Sequence, residues 1–468
     1  MEFIQRIFKK EKLDAYLDND KTLKRTLTVK DLLGLGIGAV IGTGIFILPG
    51  TVAATTAGPA IVISFFLAAI VCALVAMAYG EVSSTLPVAG SAYSYGNVIF
   101  GEVVGWIVGW ALILEYFLAV AAVSTGWSAY FNSLIAPVIK LPTAITGPFD
   151  PAHGTYINVV AILIILVISF TLRKGMNTSQ KTENLLVILK LAIIVFFIVI
   201  GFFFIKSANY HPFIPERVNG AFGFRGILTG AAMVFFAFLG FDVLSGSAAE
   251  VKNPRKTLPM GIILTLIIAA VLYALVAFVL TGMVNYQALN VADPVAFALQ
   301  KVGQNSIAVV ISIGALIGMY TMMYAMLYAS SRLIYAIGRD HLIPGDLGKI
   351  NKHGVPGKAL LVATVVISIF GGLIPLDKLT DLVSVGTLLA FTVVSLGILP
   401  LRKRKDIDHD GFKMPGYPVL PIISALFSVG LMTQLHQETL IFAAIWFGLG
   451  LLIYVFYGVR HSKLNRQK

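Results

Sequence analysis

Apolar positions in this chain gather into runs of about 20 residues, the length a helix needs to cross the hydrocarbon core of a bilayer. The runs fall near 31–55, 58–80, 102–132, 154–172, 183–205 and 226–247, then near 258–282, 305–335, 357–375, 379–401, 417–433 and 438–458. This pattern predicts an all-α integral membrane protein with twelve transmembrane helices.

Two runs are irregular. The first contains Gly34, Gly36, Gly38, Gly42 and Gly44, followed by Phe46 and Pro49. Each Gly inside a helix costs about 1 kcal/mol relative to Ala, so such a cluster needs a reason. One reading is a packing face, because Gly34, Gly38 and Gly42 recur every four residues. The other is a broken helix over Val40-Ile41-Gly42-Thr43-Gly44-Ile45-Phe46 whose freed backbone groups hold a solute, since non-helical backbone survives in lipid only beside protein or a cavity. The extra Gly36 and Gly44, and Thr43 between two glycines, favour the second. The sixth run repeats the oddity at Phe236-Ala237-Phe238-Leu239-Gly240-Phe241-Asp242. Two interrupted runs five spans apart point to a five-plus-five inverted repeat. The expected layout is a lead over 1–30, a core over 31–401 (halves 31–205 and 226–401), two accessory helices over 402–458 and a tail over 459–468.

Composition agrees: 57% of the 468 residues are hydrophobic and 12% charged, with mean hydropathy +0.87, against about 25% charged in soluble proteins. The polar lead contains no apolar stretch before a small-residue cleavage site, so no removable signal peptide is expected. With both termini on one side, that side collects 28 of the 35 Lys and Arg residues, which predicts cytoplasmic termini by the positive-inside rule. The +12 charge is thus mostly a topology signal; anionic lipid is a minor expected contact, and nucleic-acid binding is not expected. The single Cys72 excludes an intrachain disulfide, and the seven histidines lie at or outside span ends without metal-ligand spacing. No metal or cofactor is expected. Neither a nucleophile elbow nor a phosphate loop is present, and the enzyme reading fails with them.

Several stretches, in order and spacing, carry a resemblance over nearly the whole chain. They are Gly36 to Pro49, Gly80-Glu81-Val82-Ser83-Ser84, Ala89-Gly90-Ser91-Ala92-Tyr93, Gly109-Trp110, Leu112-Ile113-Leu114-Glu115-Tyr116 and Gly126-Trp127-Ser128-Ala129. Further on come Gly240-Phe241-Asp242, Glu250-Val251-Lys252-Asn253-Pro254-Arg255-Lys256 and Asp381-Leu382-Val383-Ser384-Val385-Gly386-Thr387 through Ala390. The chain resembles the amino acid–polyamine–organocation superfamily and, within it, the cationic amino acid transporter family and its bacterial homologues. That resemblance implies the leucine-transporter-like fold, broken at spans one and six, with spans eleven and twelve outside the repeat.

An amino acid carries an anion and a cation on one carbon, and helix ends suit both: bare N–H groups at an N-terminus, bare carbonyls at a C-terminus. By resemblance, the N–H groups around Thr43 and Gly44, with the Thr43 hydroxyl, take the carboxylate beside Gly42. The carbonyls of Val40, Phe236 and Leu239 take the ammonium, and the Phe236 ring lids the site. In proton-driven relatives a span-five lysine places its ammonium where sodium-driven ones bind sodium. Lys190 fits that role, because desolvation makes deprotonation of a buried lysine feasible; its rival reading is snorkelling to the cytoplasmic interface. Ser330 and Ser331 are candidates to line the same place.

Glu115, deep in span three, either accepts a coupling proton or is a protonated carboxyl bonded to another helix. Asp242 is either a gating or proton-sensing acid or a helix cap. Glu81, Glu250 and Arg332 near cytoplasmic ends suggest inner-gate salt bridges. By alignment, Met322 stands where arginine and lysine carriers have a small hydroxyl residue; a long thioether shortens the side-chain pocket and favours small neutral amino acids.

The expected function is proton-coupled symport of small neutral, or else cationic, amino acids by alternating access across the plasma membrane. The partners are then the amino acid, protons and lipid; the sequence is silent on an accessory subunit. An antiporter or facilitator of the same fold is the nearest alternative, and an amino acid sensor the alternative from another class.

Overall fold

The computed structural model describes residues 6–11, 13, 25–88, 90–173, 180–218, 221–351 and 355–466. Most of the 1–30 lead, Ala89 of the motif after the second run and the last two tail residues lie outside the described residues.

Helices dominate, with only isolated β-bridges among the described residues. In chain order they are α1 (Val29–Val40), α2 (Thr43–Phe46), α3 (Ile61–Thr85), α4 (Ser91–Ile99), α5 (Glu102–Ile135), α6 (Val159–Arg173), α7 (Gln180–Phe202) and α8 (Gly223–Val234). There follow α9 (Val243–Gly246), α10 (Pro254–Met283), α11 (Asn305–Arg339), α12 (Gly357–Leu373), α13 (Leu376–Leu401), α14 (Val419–Met432) and α15 (Gln437–Ile453). Eight segments among the described residues are long and apolar enough to cross a membrane, and three more, α6, α12 and α14, are shorter apolar helices. At 1.5 Å per residue α3 is about 37 Å long, enough to traverse a hydrocarbon core of about 30 Å. The 38-residue segment Leu48–Thr85 turns at Gly58, which has φ +64° and precedes Pro59; the expected boundary between the first two runs falls on that turn.

Local chemistry sets the helix ends. Thr28 and Asp31 form a capping box at the start of α1, the Thr28 N–H donating to Asp31 Oδ2 over 2.9 Å. Pro254 opens α10, where its missing N–H costs nothing. Packing then surrounds α1: α10 lies along α1 and α3, α7 touches α1 and α11, and α11 runs along α5. Outward faces are apolar, with Leu163, Phe170, Leu189, Leu426 and Ile445 exposed. Such a circumference belongs in lipid, and the protein is a multi-pass membrane protein.

At one end of the bundle Glu81, nearly fully buried at the end of α3, accepts from Arg402 Nε (2.6 Å) and Nη2 (2.7 Å) and from the Met414 N–H (2.7 Å). This bidentate pair ties α3 to the segment joining α13 and α14. Glu81→Ala removes the carboxylate from a partly buried guanidinium, which keeps the Met414 carbonyl, and is expected to cost about 2 kcal/mol, read as a lowered melting temperature, whereas Glu81→Gln recovers part of it. Equal melting of Glu81→Ala and wild type would refute the pair's contribution. Glu250 pairs with Arg332 instead, at 3.3 Å and partly exposed.

Candidate functional site

α1 stops because Ile41 turns extended (φ −82°, ψ 104°), and helix resumes for one turn at Thr43. The last carbonyls of α1 and the first N–H groups of α2 therefore lie outside any helical ladder. In the sixth run, α8 passes into a 3₁₀ turn over Phe235–Phe238, Leu239 is extended (φ −64°, ψ 147°), and Gly240 has φ +109°, which a side chain rarely adopts. α9 follows. Both runs are broken at the positions expected from their glycines.

The two breaks touch. A Cβ on Gly44 would lie 2.6 Å from Ala237 Cα, and one on Gly240 would lie 2.9 Å from the Ala39 carbonyl carbon. The remaining glycines of the first run divide between the two readings. Gly34 and Gly38 face Asn184 and Val187 of α7, and Gly36, expected at the site, faces Thr265 and Leu244; these are packing contacts, whereas Gly42 meets the Met322 thioether.

Lys190 is fully buried on α7, which excludes snorkelling. Its Nζ donates to the carbonyls of Gly38 (2.9 Å) and Ile41 (3.0 Å) and to Thr321 Oγ1 (3.2 Å). An ammonium on the C-terminal carbonyls of a half-helix is the favourable arrangement for a cation there. Ser330 and Ser331 do not join it; they donate to the carbonyls of Met326 and Tyr328 in their own helix. Thr321, absent from the sequence expectations, takes that place.

Val40, Gly42, Thr43, Gly44 and Met322 gather at the first break, and Phe236, Leu239 and Asp242 at the second, all buried. Thr43 Oγ1 is buried without a hydrogen-bond partner among the described residues, an acceptor and donor held ready at the start of α2. The Phe236 carbonyl accepts from the Leu239 N–H at 3.2 Å. Glu115 lies beside Tyr116 on α5, in a second polar cluster. Its carboxyl oxygens have no hydrogen-bond partner among the described residues, nor do Tyr79 Oη and Asp242 Oδ1, while Asp242 Oδ2 accepts from Tyr116 Oη at 3.1 Å. The Asp242 side chain does not cap α9.

Sequence reasoning also passed over Tyr273 of α10. Its hydroxyl lies 2.6 Å from the Ala237 carbonyl and 3.0 Å from the Val40 carbonyl, one in each break. The signal available was a phenol at mid-length in an apolar helix, since a buried O–H needs a partner.

Two interrupted helices thus meet inside the bundle, with Lys190 buried against the carbonyls that end α1. Residues 27–458 match the family model described as amino acid permease. The chain belongs to the amino acid permease family. This permease is 45% identical over 464 residues to the methylthioribose transporter of Bacillus subtilis strain 168, covering 98% of this chain and 99% of the relative. It is 43% identical to the branched-chain amino acid permease BcaP of Lactococcus lactis, covering 97% and 99%. The vacuolar cationic amino acid transporter 4 of Arabidopsis thaliana is more distant, 34% identical over 82% of this chain and 64% of its own length. The family and these relatives are transporters, and the resemblance to cationic amino acid transporters is correct at the level of the superfamily, with bacterial permeases more similar.

Proposed function

We propose that this permease is a proton-coupled symporter that imports small neutral amino acids across the plasma membrane by alternating access, with twelve spans in a five-plus-five inverted repeat and both termini cytoplasmic. The observation that carries the reading is Lys190, buried among the carbonyls that end α1, directly beside the break. Protonated, its three donors hold the end of α1 against α7 and α11; deprotonated, it loses one donor and the charge that favours the negative end of α1, so its proton and the geometry of the break are linked. Glu115 and Asp242, two buried carboxyls with no cationic hydrogen-bond partner among the described residues, supply a second place for a coupling proton, with Asp242 positioned to gate the sixth run.

In this reading the substrate carboxylate sits on the Thr43 and Gly44 N–H groups and the Thr43 hydroxyl, beside Gly42, and the ammonium on the carbonyls of Val40, Phe236 and Leu239. The Phe236 ring covers it. Residues 1–30 and 459–468 are cytoplasmic, 31–401 transport, and 402–458 form the accessory helices. The names of the relatives place branched-chain amino acids first among the substrates to test, beside alanine, arginine and methylthioribose.

The deciding experiment is uptake into proteoliposomes with an alkaline interior, with proton entry followed by a trapped pH dye. Amino acid accumulation with proton entry supports symport. Uptake only against preloaded amino acid means exchange, binding without uptake means a sensor, and uptake of methylthioribose alone means another substrate class.

Met322 sets the expected specificity. Its sulfur lies against Gly42, so Met322→Ser opens space at the break and adds a hydroxyl. A change of this size shifts selectivity by about 1–3 kcal/mol. Arginine or lysine is expected to compete better in the variant, with alanine still bound; an unchanged competition profile would show that Met322 does not limit the pocket.

A further inference from the structure

A tyrosine inside an apolar helix must place one polar atom, and Tyr273 places it between the two breaks. The ring is fixed by Phe65 and Phe238, with centroids 5.7 and 5.1 Å away, so the hydroxyl position is set by packing rather than by its hydrogen bonds. A phenol has one proton, and two carbonyls compete for it: Ala237 at 2.6 Å and Val40 at 3.0 Å. The nearer one holds it. The Val40 carbonyl ends α1 and carries part of that helix's negative pole, which leaves it the acceptor most open to a stronger donor.

We infer that Tyr273 is a positioning residue of the substrate site, whose hydroxyl bridges the two breaks and yields the Val40 carbonyl to the ammonium of the incoming amino acid. This rests on the amino acid reading above. An ammonium brings three donors and a full charge, so it displaces a neutral phenol from Val40 while the phenol proton stays on Ala237. Ala237 also packs on Gly44, at the opposite, carboxylate-binding end of the break. The same hydroxyl therefore spaces the cation-accepting carbonyl against the anion-accepting N–H groups.

Tyr273→Phe removes the hydroxyl and keeps both ring contacts. Its test is competition by two pairs of compounds that differ only in ammonium against hydroxyl: L-alanine with L-lactate, and L-leucine with L-2-hydroxyisocaproate. Amino acid affinity is expected to fall about tenfold, because without the spacing hydroxyl the Val40 carbonyl is misplaced for the ammonium, and hydroxy acid affinity less than about threefold, narrowing discrimination. Replacing Tyr273 with 4-aminophenylalanine, which keeps a donor at the same reach, is expected to retain discrimination within about threefold of wild type. An equal loss for both members of each pair marks a merely structural role and overturns the assignment, as does full discrimination in Tyr273→Phe. If the Phe variant does not fold, the 4-aminophenylalanine variant decides, and loss of its discrimination overturns the proposal. A wild type that binds none of these amino acids overturns the substrate reading and this assignment together; wild-type binding with unchanged discrimination in the variants overturns this assignment alone.

Discussion

Lys190→Met is expected to abolish accumulation of substrate under a pH gradient while the protein still folds. With one proton per substrate, one pH unit sustains about a tenfold concentration ratio, because each tenfold step is worth about 1.4 kcal/mol. The variant is expected to reach a ratio of one. Met keeps the length and apolar stem of Lys but donates nothing, so the bonds to Gly38, Ile41 and Thr321 are lost together with the titrating group at the end of α1. Thr321 keeps a bond of its own, donating to the Gly318 carbonyl at 2.8 Å. The stranded groups are two carbonyls at the end of α1. The measurement is labelled amino acid in proteoliposomes with and without the gradient, with melting of the purified variant as the folding control. Wild-type accumulation by a folded Lys190→Met would remove the coupling role and transfer it to Glu115 and Asp242.

The features that were legible in the sequence are those that hydropathy makes costly. A lysine, a glutamate and an aspartate inside apolar runs stand out because lipid penalises their charge, and five glycines in one run because each weakens a helix. The breaks at Ile41–Gly42 and Leu239–Gly240, and the burial of Lys190, Glu115 and Asp242, followed from those costs. Polar atoms on side chains that otherwise suit an apolar helix raise no such signal, and Tyr273, Tyr79 and Thr321 passed unnoticed for that reason. α4 was equally invisible: Ser91–Ile99 is nine residues long with serines and asparagine among its apolar positions, too short and too mixed for a search by apolar runs. The partner of Glu81 lies 321 positions away at Arg402, a distance no local pattern spans.

Glycine spacing, in contrast, was legible only in part. Gly38 and Gly44 look alike in the sequence, yet what stands opposite each differs. A Cβ on Gly38 would meet Val187 Cγ2 at 3.6 Å, an ordinary contact, whereas one on Gly44 would meet Ala237 Cα and Cβ at 2.6 Å. Side chains rotate away; backbone does not.

Gly44→Ala is therefore expected to abolish amino acid binding, and Gly38→Ala to leave it within about twofold of wild type. One methyl at Gly44 forces the start of α2 and the turn at Ala237 apart. Displacement of binding groups by about 1 Å is enough to cost about a hundredfold where geometry is exacting. The site depends on both elements at once, since one supplies N–H groups and the other carbonyls to a ligand whose two charges are fixed on one carbon. Gly44→Val, a larger intrusion, is expected to do no less. The check is a ligand-induced rise in melting temperature, which follows from binding to the folded form alone. A wild type whose melting rises with amino acid, beside a monodisperse Gly44→Ala whose melting does not, is the expected result. A folded Gly44→Ala or Gly44→Val with wild-type affinity would mean that the ligand does not sit between the breaks, and would move the site away from span one.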